Sequence, residues 1–218
     1  GQVTLNEEQS RHTAKSLRMR KGDMLTLTSG NGNDYGCIIE NTNGGLVTLS
    51  VCYKQANNSE PSVKVTLYQG VPKSSKLEDV IQKCTELGIS AICPTLTNRS
   101  VSRPDEKSAK KKKQRYEKIA LEAAQQSGRG IVPEIMDMTS LEKAVKNDDS
   151  ELKILFYEGG GESLKSMINQ DIKSVSIYIG PEGGFEEKEV ELIKSSGGKI
   201  ASLGSRMLRT QTAPVAAL

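Results

Sequence analysis

Ser174-Val-Ser-Ile-Tyr-Ile-Gly-Pro-Glu-Gly-Gly-Phe185 and Leu203-Gly-Ser-Arg-Met-Leu-Arg-Thr-Gln-Thr-Ala213 are the stretches whose reading decides the fold. Val175, Ile177 and Ile179 alternate with Ser174, Ser176 and Tyr178, the period of a strand, and β-branched residues suit one. Gly180-Pro181 ends it. Glu186-Glu187 then open a helix, whose positive end favours acids in its first turn. Val190 and Ile193 supply its apolar face, and Gly197-Gly198 stop it. Residues 199–203 form a second short strand, and Gly204 opens a second loop. Two strand ends, each followed by a glycine loop, suggest a small-ligand site at the carboxyl edge of a parallel sheet. A pair of tight turns is the plainer reading of the glycines alone. The loop chemistry narrows the choice: neither Gly-Lys-Ser/Thr nor Gly-x-Gly-x-x-Gly is present, and Glu182 would repel a phosphate. A ligand carrying positive charge fits better.

Gly180-Pro-Glu-Gly-Gly184 and Leu203-Gly-Ser-Arg-Met-Leu-Arg-Thr-Gln-Thr-Ala213 closely resemble the paired C-terminal motifs of the RsmE-type family, the 16S rRNA uridine-N3 methyltransferases of the SPOUT superfamily. The resemblance implies an α/β fold. Its C-terminal domain would be SPOUT-type, a parallel sheet flanked by helices with a deep trefoil knot, and a PUA-like β-barrel would precede it. It also implies S-adenosylmethionine, whose sulfonium and amino groups are positive, as the cofactor held by the two knotted loops. The cofactor-binding set it implies is Tyr157, Glu158, Ile179, Gly180, Glu182, Gly183, Gly184, Leu203, Gly204, Met207, Leu208 and Thr212, with Arg209 and Arg206 catalytic. Two residues depart from the family pattern. Ser205 stands where a proline is frequent, and Gln211 where a glutamate is usual.

A chain of 218 residues has room for one large or two modest domains. Charged residues make up 26% and hydrophobic ones 35%, the balance of a soluble globular protein. The net charge of +3 barely hints at nucleic acid, but residues 107–115 hold most of a basic run. Cys37, Cys52, Cys84 and Cys93 show no C-x-x-C spacing, and with one histidine in the chain no metal site is expected. Cys84 and Cys93 lie among apolar neighbours and read as reduced core residues, which favours a cytoplasmic location. No apolar run approaches the roughly 20 residues of a membrane span. The chain begins at Gly1 rather than methionine and ends at Leu218 inside an apparent helix, where family members continue, so further residues are expected at both ends.

Residues 1–70 read as the barrel and 71–218 as the second domain. Short alternating runs at 25–28, 35–40, 45–51 and 63–68 are separated by turn signals at 30–34 and 41–45. His12-Thr-Ala-Lys-Ser-Leu-Arg-Met-Arg-Lys-Gly-Asp23 resembles a family segment that implies RNA binding. Arg11, His12, Arg18, Arg20 and Lys21 are its candidate RNA contacts. Gly70, Pro72 and two serines mark the boundary. Ser75 is placed to cap a helix with Leu77, Val80, Ile81, Cys84 and Leu87 on one face, stopped by Gly88. Residues 89–96 follow as a strand. Gln82-Lys-Cys-Thr-Glu-Leu-Gly88, Asn98-Arg-Ser-Val101 and Glu122-Ala-Ala-Gln-Gln-Ser-Gly-Arg129 match further family segments, and add Arg99 and Arg129 as candidate RNA contacts. Residues 110–127 read as a long helix with Tyr116, Ile119, Ala120, Ala123 and Ala124 inward. Its leading lysines oppose the helix dipole, which fits either an exposed soluble turn or a polyanion contact. A helix at 141–146, a strand at 153–157 and a helix near 162–168 complete the alternation of a parallel α/β sheet.

The resemblance implies methylation at N3 of a uridine in 16S rRNA or the small ribosomal subunit, by a homodimer. That chemistry must position the base, stabilise the negative charge left when N3 loses its proton, and accept or relay that proton. N3 lies on the pairing edge, so the target is unpaired or flipped out. Arg206 and Arg209 suit anion stabilisation but cannot be bases, and neither can Gln211. Water or a carboxylate such as Glu182 stays open as the base. Two other readings stay open: a non-catalytic RNA-binding relative, motivated by Gln211 and Ser205, and a nucleotide-binding α/β protein, which the missing phosphate fingerprints disfavour.

Overall fold

The computed structural model describes residues 1–158, 160–168 and 171–218, and for Asn43 the main chain alone. It divides into two compact units, residues 1–60 with 128–131, and residues 61–127 with 132–218.

The first unit runs β1 (Gln2–Thr4), α1 (Glu7–Arg11), a π-helical turn (His12–Ser16), β2 (Met24–Thr28), β3 (Asn33–Asn41) and β4 (Thr48–Ala56). Asn6 and Gln9 form a reciprocal capping box that starts α1. The strands pair antiparallel in the order β1-β4-β3-β2. The ladder stops at β1 and β2, so the expected barrel takes the form of a four-stranded sheet. Leu5, Cys37, Ile39, Val47 and Leu49 form its core, with Ala14 and Met19 packed against them. The third expected run begins three residues late, because Gly44 and Gly45 sit at positive φ and make the turn into β4. Gly36 is needed for a different reason: a Cβ there would lie 2.2 Å from two carbons of the Tyr53 ring, which crosses it from the neighbouring strand.

Residues 128–131 belong to this unit through a dense set of bonds. Asn57 Nδ2 donates to Gly128 O (3.1 Å), Gly32 N to Gly130 O (3.2 Å) and Gly130 N to Ser59 Oγ (3.1 Å). Arg129 is not an open RNA contact. Its side chain is 3% exposed, and Nη2 donates to Glu60 Oε2 at 2.6 Å, while Ile131 N donates to Glu60 Oε1 at 3.0 Å.

The second unit contains β5 (Lys64–Gly70), α2 (Lys76–Glu86), β6 (Ala91–Leu96), α3 (Glu106–Ser127), β7 (Glu134–Ile135), β8 (Thr139–Ser140), α4 (Leu141–Asn147), β9 (Leu152–Phe156), β10 (Glu162–Ser163), α5 (Leu164–Met167), β11 (Ser174–Ile179), α6 (Glu187–Ser195), β12 (Lys199–Ser202) and α7 (Ala213–Ala217). Its strands are all parallel, in the order β10-β12-β9-β11-β5-β6-β7, with β8 also beside β6. The run at 63–68, expected as the last barrel strand, is therefore a central strand here, between β11 and β6. The boundary lies near residue 60 rather than 70. Period-two alternation cannot tell a barrel strand from a parallel one.

Both faces of the sheet are covered. Leu67, Ile154 and Ile177 pack with Leu77, Val80, Ile81, Tyr116 and Ala120 of α2 and α3. On the other face Tyr68, Leu155 and Tyr178 pack with Leu141, Val145, Val190 and Ile193 of α4 and α6. The polar half of the β11 alternation is therefore buried too. Tyr178 is stacked on Tyr68 (centroids 4.7 Å apart), and the hydroxyls of Tyr178 and Ser176 both donate to Asp148 Oδ2. Two helix details differ from expectation. Ser75 makes no side-chain cap, and Leu87, just past α2, is 50% exposed. Helix α3 starts earlier than its apolar pattern, because Asp105 Oδ1 accepts from Ser108 N (2.7 Å) and caps it. No helix among the described residues is long and apolar enough to cross a membrane.

The Glu60–Arg129 pair makes the first unit sensitive to acid. Burial alone would push the Glu60 carboxyl up, but the hydrogen bond and charge of Arg129, with bonds from Ile131 and Ser59, hold it below its usual range. A depressed folded-state pKa contributes stability that is present above the unfolded value of about 4.3 and is lost as pH falls through the folded value. Glu60→Gln should therefore unfold at lower urea than the parent at neutral pH, with the two midpoints converging as pH falls below the unfolded value of about 4.3. Midpoints that stay equally far apart across that window would refute the pairing as the source.

Candidate active site

The carboxyl ends of β9, β11 and β12 lie side by side, and the chain leaving them encloses a cavity of about 570 Å³. Phe156, Tyr157 and Glu158 line it from the end of β9. Ile179, Gly180, Glu182, Gly184 and Phe185 line it from the first glycine loop, and residues 202–211 from the second. The first loop doubles back on itself. Gly184 N donates to Pro181 O (2.9 Å), Gly184 sits at φ 67°, and a Cβ on Gly180 would meet the Gly184 main chain at 3.0 Å. Only glycine accommodates that pair of demands.

The two loops are joined at one buried point. Thr210 Oγ1 donates to Gly180 O at 2.8 Å. The fully buried Gln69, at the end of β5, directs Nε2 toward Thr210 Oγ1 (3.0 Å), Gly70 O (3.1 Å), Ile179 O and Gly180 O (both 3.4 Å). Gly70 lets Pro181 approach so closely that a Cβ would lie 2.5 Å from Pro181 Cδ. Gln69 Oε1 and Gln211 Oε1 are buried acceptors without a hydrogen-bond partner among the described residues.

The charged groups on the cavity are one anchored pair, Glu182 with Lys76, and the open Glu158, Arg206 and Arg209. Glu182 bonds Lys76 Nζ (2.8 Å) and accepts from Lys73 N (3.2 Å). Partial burial raises its pKa, but the bonds from Lys76, from its own main chain and from Lys73 outweigh that and leave it below the usual carboxylate range. A carboxylate so stabilised is a poor proton acceptor, which counts against Glu182 as the base. Arg206 and Arg209 line the cavity and are exposed, and neither guanidinium makes a hydrogen bond or ion pair among the described residues. Arg209 holds the start of α7 through its carbonyl, which accepts from Thr212 N and Ala213 N, and not through its side chain.

Ten of the twelve expected cofactor residues line the cavity, Gly183 and Thr212 being the exceptions. A Cβ on Gly183 would face Arg99 Cβ at 3.3 Å. Arg99 in turn donates from Nη1 to Gly183 O (2.6 Å), so this expected RNA contact is tied to the first loop. Its neighbour Asn98 bonds Glu189 Oε1 and Glu186 Oε2 at the start of α6. Arg11, His12, Arg18, Arg20 and Lys21 are exposed in the first unit, with Arg18 at φ 55°.

Residues 58–218 match the family model described as an RNA methyltransferase domain, and residues 5–52 the RNA methyltransferase PUA domain. The chain is 37% identical to the ribosomal RNA small subunit methyltransferase E of Bacillus subtilis, over 99% of this chain and 87% of that protein. It belongs to the ribosomal RNA small subunit methyltransferase E family. A Neisseria gonorrhoeae family member solved bound to S-adenosyl methionine superposes with a TM-score of 0.92 at 28% identity, covering 100% of this chain and 89% of that one. A Legionella pneumophila methyltransferase solved with SAM superposes at 0.91 and 30% identity, again covering 100% and 89%.

Within this family fold, sequence reading missed Gln69, Lys76 and Thr210. Lys76 and Gln69 lie more than 100 residues from the loop they hold, and nothing local marks them. Thr210 carried a usable signal, a hydroxyl inside the second motif. Thr210→Val keeps the shape and removes the bond to Gly180 O. We expect a loss of about 1–2 kcal/mol, read as a melting point lower by roughly 2–6 °C, and coupling to Gln69→Met in a double-mutant cycle. Strictly additive effects would mean that the two side chains do not share one junction.

Proposed function

We propose that this chain methylates N3 of a uridine in 16S rRNA, using S-adenosylmethionine held in the cavity between the two glycine loops. One observation carries the site assignment: two arginines with no side-chain partner among the described residues stand on a loop-walled cavity at the sheet's carboxyl edge, in a chain of this family. The cofactor fits the residues present. The volume is within the roughly 300–1,000 Å³ of small-ligand pockets. The glycines let the main chain approach closely, and the Glu158 and Glu182 carboxylates suit a positively charged ligand. When bound, S-adenosylmethionine supplies a methyl group on a sulfonium that is already a good leaving group.

The remaining work falls to the chain. Main-chain groups of the two loops hold the cofactor, and the Thr210–Gly180 bond keeps those loops in register. Arg209, with Arg206, donates hydrogen bonds to the uracil carbonyl oxygens as N3 loses its proton. Gln211 is an amide and Glu182 is tied to Lys76, so that proton passes to water or to Glu158, the other carboxylate on the cavity. The proposal includes the trefoil threading that the resemblance implies, supported by the contacts of Gln69 and Thr210 across the loops. It also includes phosphate contacts from Arg11, Arg18, Arg20 and Lys21 and a base or phosphate contact from His12, supported by their exposure in the PUA unit. The four cysteines are free thiols, which supports a reducing cytoplasm as its location.

The direct test is transfer of labelled methyl to transcribed 16S rRNA and to small subunits from cells lacking the enzyme, with the product nucleoside identified by mass spectrometry. N3-methyluridine supports the proposal. RNA binding without transfer would instead leave a non-catalytic relative. Arg209→Ala should lower the single-turnover rate about 10²–10³-fold, with cofactor affinity and melting temperature unchanged, because its guanidinium holds nothing in the fold. A parallel loss of rate, affinity and stability would reassign it to loop support.

The proposal extends to a homodimer. Ile168 and Leu218 are 50% and 39% exposed, and Ala216 and Ala217 on α7 are small enough for close helix approach. Light scattering should give twice the 23.6 kDa chain mass. A fully active monomer would sink this part alone.

A further inference from the structure

The first half of α3 carries Lys107, Lys110, Lys111, Lys112, Lys113 and Arg115. The structure sorts them into two groups. Lys113 Nζ bonds Asp137 at 2.7 Å, and Arg115 Nη2 bonds Glu78 at 2.6 Å, so these two are held by acids of their own unit. Lys107, Lys110 and Lys111 are exposed and Lys112 is half-buried, and none of the four has an ion pair or hydrogen bond among the described residues. Positions 107, 110 and 111 are three and four apart, so their side chains neighbour one another along one stripe. The opposite face, with Tyr116, Ala120, Ala123 and Ala124, is buried.

Such a stripe works against the helix that bears it. Like charges four apart repel, and the positive end of the macrodipole adds to that repulsion. In the turn that opens the helix, Glu106 is the one acid beside the stripe, preceded by Asp105. Asp105 is engaged with Ser108 N as the cap. A helix that needed only solubility would be better served by acids there. A polyanion reverses the sign of each of these terms.

The stripe is also tethered to the rim of the cavity. Arg103 Nη2 donates to Thr97 O at 2.7 Å, and the turn from Thr97 to Ser100 is bonded to Glu186, Glu189 and Gly183. Six residues lead from Ser100 to the first residue of α3, a reach of about 20 Å at most. The start of the stripe therefore lies no more than about 20 Å from a turn that is bonded to the first glycine loop.

We propose that Lys107, Lys110 and Lys111, with Lys112 at their edge, form a docking surface for phosphates of the RNA strand that carries the methylated nucleotide. This rests on the RNA methyltransferase reading of the cavity. Each phosphate contact releases condensed counterions, so the surface has a measurable salt signature.

The test compares two triple variants with equal loss of charge: Lys107, Lys110 and Lys111→Gln on the stripe, and Lys143, Lys146 and Lys188→Gln on α4 and α6. Binding of transcribed 16S rRNA is titrated at several salt concentrations, alongside cofactor affinity and the single-turnover rate at saturating RNA. The stripe variant should bind more weakly and show a plot of log affinity against log salt shallower by about 2, or roughly 0.7–0.9 per lost contact. Its cofactor affinity and saturated rate should match the parent, and the control should keep the parental slope. A parental slope in the stripe variant, or equal flattening in both variants, overturns the proposal. Flattening confined to the stripe in a protein that transfers no methyl group supports the docking surface and sinks the methyltransferase reading. Absence of RNA binding by the parent overturns both.

Discussion

One buried amide holds together the parts on which the cavity depends. Parallel strands end in carbonyls that the ladder no longer satisfies, and buried carbonyls need donors. At Ile179 and Gly180 the donors are Gln69 Nε2 and the Thr210 hydroxyl, which come from the neighbouring strand end and from the other loop. The same contacts that satisfy the main chain therefore fix the first loop against the second. Gly70 completes the junction by letting Pro181 pack against the strand end. A cavity walled by loops keeps its geometry only when such a supporting layer is rigid.

Around that junction Glu182, Glu186, Glu189 and Asp148 are engaged, and the guanidiniums of Arg206 and Arg209 make no bond among the described residues. Glu182 anchors to Lys76 and Lys73, Glu186 and Glu189 hold the turn at Asn98, and Asp148 collects the hydroxyls of Ser176 and Tyr178 beneath the sheet. These bonds stabilise charge that is already present in the folded protein. Arg206 and Arg209, left open on the cavity wall, can instead meet charge that arises only during reaction. An interaction that strengthens toward the transition state raises rate rather than binding. Arg99 belongs with the anchors despite its exposure, because its guanidinium holds the Gly183 carbonyl.

Much of this was legible along the chain, for identifiable reasons. The apolar spacing of Leu77, Val80, Ile81 and Cys84 specified the buried face of α2, and the alternation at 174–179 specified β11. The run at 63–68 was equally clear as a strand and was assigned to the wrong sheet. Alternation reports side-chain period and says nothing of the partner strand. Ser176 and Tyr178, the polar positions of that alternation, are buried because Asp148 accepts from both hydroxyls. Arg129 failed as a binding candidate because its counter-ion, Glu60, lies 69 residues earlier.

By itself, the sequence determined the longer helices and strands, the two glycine loops, the bases available and the family, because these depend on local periodicity, turn chemistry and contiguous motifs. The tertiary structure alone decided where the domains divide, that residues 128–131 fold with the first unit, and which charges are spent on anchoring. Those outcomes depend on pairings between residues tens to more than a hundred positions apart. No local pattern encodes which distant donor reaches which carbonyl, and Gln69 is identifiable only once β5, β11 and the second loop stand together.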